Sequence, residues 1–91
     1  MILIDKLPSV EDYYASQRIV LLGHSIDEWK WAKCCFHFDS KRTMRVSVKK
    51  GEYRCFICGS SGKDFIEFHQ KRYDLDFIDA VKSLGAWGES A

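Results

Sequence analysis

The chain has 91 residues, 14 Lys and Arg against 13 Asp and Glu, 46% hydrophobic and 30% charged residues, and one proline, so it has room for one modest core and no compositional bias toward disorder. Its apolar start, Met1 to Ile4, is stopped by Asp5 and Lys6 and is far too short for a signal peptide or a membrane-spanning helix, which leads us to expect a cytoplasmic setting without a membrane. A domain this small buries a limited share of its surface, so an added cross-link matters to its stability.

In chain order, Ser9 reads as a helix N-cap with Asp12 as the acidic partner of a capping box. Val10, Tyr13, Tyr14 and the stretch from Gln17 to Leu21 then carry a first helix over about 9–22 toward Gly23. From His24 to Lys33 the pattern is irregular, and Trp29 and Trp31 alternate about Lys30 as in a short extended piece. Met44, Val46 and Val48 alternate with Arg45, Ser47 and Lys49, and Lys50-Gly51-Glu52 turns the chain into Tyr53-Arg54-Cys55-Phe56, which predicts a β-hairpin. A helix beginning near Lys63 or Asp64 buries Phe65, Ile66 and Phe68, with His69 at the margin of that face. Asp76 caps a last helix with Phe77, Ala80, Val81 and Leu84 at helical spacing, ended by Gly85. These two helices span about 63–85, and Gly88 to Ala91 read as a frayed tail. Helix, hairpin and two helices make an α+β chain, expected to be one domain over 1–91.

The four cysteines carry the strongest signal. Cys34-x2-His37 and Cys55-x2-Cys58 are two ligand pairs with seventeen residues between them, the separation that a short hairpin between two zinc knuckles requires. A two-residue gap lets both side chains of a pair reach one ion, and the second pair completes a tetrahedron. Gly59, directly after Cys58, supplies permissive backbone for such a knuckle. We therefore expect one structural Zn2+ within a small zinc-ribbon-like antiparallel hairpin or sheet over about 30–62, with flanking helices. Four protein ligands leave no position for water, which argues against a zinc hydrolase. Two disulfides in a secreted protein would be the competing use, but no export signal is visible and Cys34 and Cys35 are adjacent. The blander alternative is four cysteines packed as small hydrophobes. Cys35 is expected to point away from the metal as a free thiol, and His24 and His69 to lie at the surface or a helix boundary without a ligand role.

Charge is unevenly spread. Residues 30–54 contain Lys30, Lys33, Lys41, Arg42, Arg45, Lys49, Lys50 and Arg54 against Asp39 and Glu52, while the rest of the chain is acidic. Zinc with three thiolates and a neutral histidine trims this surplus by about one charge. Basic residues interleaved with Trp31, Phe36, Phe38, Tyr53 and Phe56 fit single-stranded nucleic acid, cations following phosphates and rings stacking on bases. The expected contact surface is Lys41, Arg42, Arg45, Lys49, Lys50, Tyr53 and Arg54, with Tyr53 reachable and Phe56 packed on its knuckle. The competing reading is that the lysines form a solvated strand face and the rings a core.

Cys34-Cys35-Phe36-His37, Thr43-Met44-Arg45-Val46, Tyr53-Arg54-Cys55-Phe56-Ile57-Cys58-Gly59 and Asp64-Phe65-Ile66-Glu67-Phe68 together resemble the zinc-binding domain of bacterial DnaG-type and phage primases. The family's pattern is Cys-Pro-Phe-His, Pro-Ser-Phe-x-Val, Tyr-x-Cys-Phe-x-Cys-Gly and Gly-Asp-x-Ile-x-Phe, and its last helix looks like Phe77 followed by Ala80-Val81-Lys82-Ser83-Leu84. Cys35 stands where the family has proline, Arg42-Thr43-Met44 where it has Pro-Ser-Phe, and Lys63 is an extra residue before Asp64. These departures suggest a divergent member of the kind carried by a mobile element.

The resemblance implies a DNA-binding accessory module without a polymerising core. It would bind single-stranded DNA template and support primer initiation beside a primase catalytic subunit, a replicative helicase or a polymerase. A second reading is a protein-interaction adaptor or inhibitor that occupies such a partner, for which the acidic helices speak. Enzyme activity by itself is not expected, because the metal site is closed and acids such as Asp74, Asp76 and Asp79 read as helix caps and solvated groups.

Overall fold

The computed structural model of the protein describes residues 1–23 and 27–88. After a 3-10 turn at Ile4–Lys6 come α1 (Val10–Ser16), β1 (Trp29–Ala32), β2 (Met44–Ser47), β3 (Tyr53–Cys55), β4 (Ser61–Gly62), α2 (Phe65–Tyr73) and α3 (Phe77–Ser83). The strands form one antiparallel sheet in the order β1-β2-β3-β4. Among the described residues no helix is long and apolar enough to cross a membrane.

Each helix begins at a side-chain cap. Ser9, Asp64 and Asp76 accept from the backbone amides of Asp12, Glu67 and Asp79, satisfying donors that a helix start leaves unpaired. Each ends on a left-handed residue: Arg18, Asp74 and Gly85 have φ of 60°, 54° and 75°. Beyond them the amides of Ile19, Leu75 and Ala86 reach back to the carbonyls of Tyr14, Gln70 and Val81, a Schellman-type closure. The first helix therefore stops at Ser16, not near residue 22 as the sequence suggested. Arginine can take the left-handed turn that the sequence pattern reserved for Gly23, and Leu22 then leaves the helix to bridge Trp31. The extended piece around Trp29 likewise proves to be a full strand, paired with β2 from Trp29↔Ser47 to Ala32↔Met44.

Residues directly paired across strands share a face. One face carries Ala32, Met44, Val46, Tyr53 and Cys55, all buried, and packs on the helices through an aromatic cluster. Phe68 of α2 is its hub, with ring centroids 5.0 Å from Tyr14, 5.1 Å from Tyr53 and 5.2 Å from Phe36. Tyr13 stacks on Phe65 at 4.7 Å. A Cβ on Gly62 would lie 2.5 Å from the Tyr53 ring, so β4 can pass over that ring only as glycine. The expectation that Tyr53 is reachable is corrected here. Its odd register position puts it beside Val46 and Gly62 on the core face, and it is 1% exposed.

His69 is buried, contrary to its expected surface or boundary position. Its Nδ1 lies 2.8 Å from the Tyr13 hydroxyl and its Nε2 2.8 Å from the Ser83 hydroxyl, so one imidazole joins α1, α2 and α3. His24 and residues 89–91 lie outside the described residues. Gly88, expected in a frayed tail, instead exchanges backbone bonds of 2.8 Å with Met1.

Burial, then the Arg72 charge, hold His69 below the usual histidine value of 6.5. Above 6.5 the ring is neutral whether folded or unfolded. Below it the unfolded chain binds the proton first, so stability falls as pH drops toward the lowered folded value. Chemical denaturation across this window should show a steeper loss for the wild type than for His69→Gln, measured with zinc bound. Parallel curves would mean that the buried relay does not resist protonation.

Candidate metal centre and the outer face of the sheet

The sheet brings the two ligand pairs to one end. Cys34 lies two residues past the end of β1 and Cys55 closes β3, so both arrive on sheet backbone and are 5% and 1% exposed. His37 and Cys58 come from the loops beyond them. The four ligand atoms of Cys34, His37, Cys55 and Cys58 all lie within 4.8 Å of one another. The Sγ atoms of Cys34 and Cys58 are 3.7 Å apart, and His37 Nε2 is 3.2 Å from Cys55 Sγ. A tetrahedron of Zn–S bonds of about 2.3 Å has an S···S edge of roughly 3.8 Å, so three sulfurs and a nitrogen fit one zinc ion with no further ligand needed. Exposed Cys35 stands outside the cluster, as its neighbour's role required.

The surroundings prepare the donors for metal. His37 Nδ1 lies 2.7 Å from the Phe38 carbonyl, which fixes the proton there and frees the Nε2 lone pair. In the protein without metal, burial pushes the Cys34 thiol up. Cys55 is drawn down despite its own burial, by the Thr43 hydroxyl and the backbone amides of Cys58 and Ile57. A bound cation resolves this unequal pair by taking both as thiolates, so metal uptake releases protons.

Sequence reasoning treated Asp39 only as a charge, yet it organises the first knuckle. Its Oδ2 accepts from the amide of Cys34 at 2.9 Å and from the amide and hydroxyl of Thr43 at 2.8 Å each, and its Oδ1 from the amide of Lys41 at 2.8 Å. These bonds, that from Cys34 first, hold its carboxyl well below the usual range. The amides on either side of Arg42 are thereby fixed, and Arg42 spans the gap at φ 59°. Thr43 Oγ1 in turn lies 3.5 Å from both Cys55 Sγ and His37 Nε2. An aspartate bonding an amide two residues on is the available sequence signal.

The sheet's other face is unlike the core face. Trp31, Arg45 and Arg54 form one cross-strand row, with Trp29 beside Ser47 in the next. The Arg45 guanidinium lies 5.2 Å from the Trp29 ring and 5.5 Å from that of Trp31, and Arg54 lies 5.5 Å from Phe56. The Trp31 and Phe56 rings are 5.9 Å apart and 44% and 52% exposed. Phe56 thus leans over the outer face and does not pack on its knuckle, a correction that follows from its place after Arg54 and Cys55, where the alternation turns it outward. Of the sequence candidates, Arg45 and Arg54 share this face. Lys41 and Arg42 are exposed on the loop before β2, and Lys49 and Lys50 on the turn after it. Tyr53 is on the opposite side. Trp29 was missing from the expected surface, although its alternation with Trp31 signalled a strand.

Two outcomes follow from the centre. Removing zinc with a strong chelator should unfold at least the hairpin, since structural zinc contributes an apparent ~10–16 kcal/mol in small domains. Far-UV circular dichroism checks this, and an unchanged spectrum would refute it. Asp39→Asn should weaken zinc binding about 10- to 100-fold in competition with a chromogenic chelator, and wild-type affinity would remove Asp39 from this role.

Comparison with known proteins agrees with this centre. A sequence model of the CHC2 zinc finger, the zinc ribbon of DnaG, matches residues 8–89. The DNA primase of Lactococcus lactis is 45% identical over 51 residues, covering 56% of this chain and 8% of the relative. That of Pasteurella multocida is 35% identical over 81 residues, covering 82% of this chain and 14% of the relative. The chain therefore spans only a small part of the length of these primases. The crystal structure of the Aquifex aeolicus primase, comprising zinc-binding and RNA polymerase domains, superposes with a TM-score of 0.72 at 26% identity, over 98% of this chain and 23% of that one. With its four donors gathered for one structural zinc and the family pattern running through nearly all its length, the chain belongs to the CHC2 zinc-finger family and is a DnaG-type primase zinc-binding domain.

Proposed function

We propose that this domain binds single-stranded DNA template across the outer face of its sheet and supports primer initiation by a separate polymerising core. The observation that carries the reading is the Trp29-Trp31-Arg45-Arg54-Phe56 surface. Flat rings and guanidinium groups alternate there on a rigid sheet, the combination that lets phosphates meet cations while bases stack. Lys41, Arg42, Lys49 and Lys50 flank the face at its two ends and extend the positive field along a strand.

The inner face supports the same reading by contrast, because its rings are consumed by the core. The partners that fit are single-stranded DNA and the replication proteins that act on it, namely a primase catalytic subunit, a replicative helicase or a polymerase. A role as a protein adaptor draws on a different place, α3, where Phe77 and Ile78 are half-exposed between Asp76 and Asp79.

Fluorescence anisotropy of the zinc-loaded protein with short single-stranded DNAs at several salt concentrations tests the proposal. Binding should weaken with salt, and Arg45→Ala with Arg54→Ala should reduce both the affinity and the salt slope, by about 0.7 per lost phosphate contact. Absence of binding by a folded, zinc-loaded chain would turn the assignment to the protein-partner role.

A further inference from the structure

On the outer face, the row next to Trp31, Arg45 and Arg54 holds Trp29 opposite Ser47, and the Ser47 amide donates to the Glu52 carbonyl at 2.8 Å. The small serine between Trp29 and Glu52 is fully buried and tied to the Glu28 carboxylate at 2.8 Å. The outer residues around it enclose a cleft of about 200 Å³ lined by Trp29, Arg45, Glu52, Arg54 and Phe56. Among the described residues no hydrogen bond or ion pair holds the Glu52 side chain, although two arginines line the same cleft.

A lone carboxylate repels phosphate, so within a basic surface it suits a ligand edge that donates protons. The cleft walls are two aromatic rings and two guanidinium groups, which suit a flat ligand with acceptor atoms. A nucleobase combines both. Thymine presents two carbonyls and a single N–H. Guanine presents adjacent N1–H and N2–H donors at the spacing of two carboxylate oxygens. Adenine and cytosine each offer one amino group.

Resting on the reading of this face as the DNA interface, we propose that the cleft takes one base of the bound strand and that Glu52 selects guanine over thymine there. Glu52 is then a specificity residue, while the arginines and rings supply base-independent binding.

The test compares short oligothymidylate with the same strand carrying one central guanine, adenine or cytosine, titrated against the zinc-loaded wild type and Glu52→Gln. The wild type should bind the guanine strand at least about five-fold more tightly than oligothymidylate, with adenine and cytosine between. In Glu52→Gln the ratio should collapse toward one and oligothymidylate should bind more tightly, because a repelling charge is gone. An undiminished ratio in the variant, or a wild type that ranks adenine or cytosine above guanine, overturns the assignment. Base-blind binding by the wild type removes the selection by Glu52 and leaves the DNA interface standing. No binding of any strand removes the interface and this inference with it.

Discussion

The zinc ion holds the loop after β1 to the turn after β3, and almost everything else depends on that closure. Four strands of two to four residues each bury too little surface to persist alone, and the metal joins the ends of β1 and β3 where they run into the knuckle loops. Two ligands, Cys34 and Cys55, are set by the sheet, and two, His37 and Cys58, by loops. The loop ligands are ordered in advance, His37 through the Phe38 carbonyl and the first knuckle through Asp39. Metal affinity and strand pairing are consequently one equilibrium, in which each supplies part of the organisation the other needs.

From that closure the sheet acquires two faces of different chemistry. Inner rings meet Phe68 and the helices in edge-to-face and tilted contacts, which is where this small chain obtains its core. Outer rings are left beside arginines. The division follows from period-two alternation in β2 and β3, where Met44, Val46, Tyr53 and Cys55 face inward and Arg45 and Arg54 outward. A single-residue slip in register would exchange core and surface, and the ligand Cys55 at the end of β3 forbids it.

Much of this was legible in the sequence because it rests on short spacings. The ligand pairs, the hairpin, the caps at Ser9 and Asp76 and the family pattern are all local signals. What was not legible depends on contacts distant in sequence. Tyr53 has the composition of a stacking residue, and only the pairing with Val46 and Gly62 shows which side it takes. His69 is polar and reads as a surface residue, but partners at Tyr13 and Ser83 bury it in the middle of α2. The end of α1 was misplaced because Arg18 takes a left-handed conformation that sequence rules assign to glycine. Asp39 was overlooked because an aspartate in a basic loop looks like a solvated charge until its hydrogen bonds are seen.

The β2–β3 hairpin is fastened at both ends. Zinc holds one, and at the other the Tyr14 hydroxyl donates to the Gly51 carbonyl at 2.9 Å, while a Cβ at Gly51 would come within 3.0 Å of the Phe65 amide. A β-ribbon clamped in this way has little freedom to coil or flex against the helices, so a ligand on the outer face would meet backbone already in place. Little ordering entropy is then left for the protein to lose on association. The speed of such an encounter would then be governed by diffusion and the electric field of the arginines and lysines, without a preceding rearrangement of the fold.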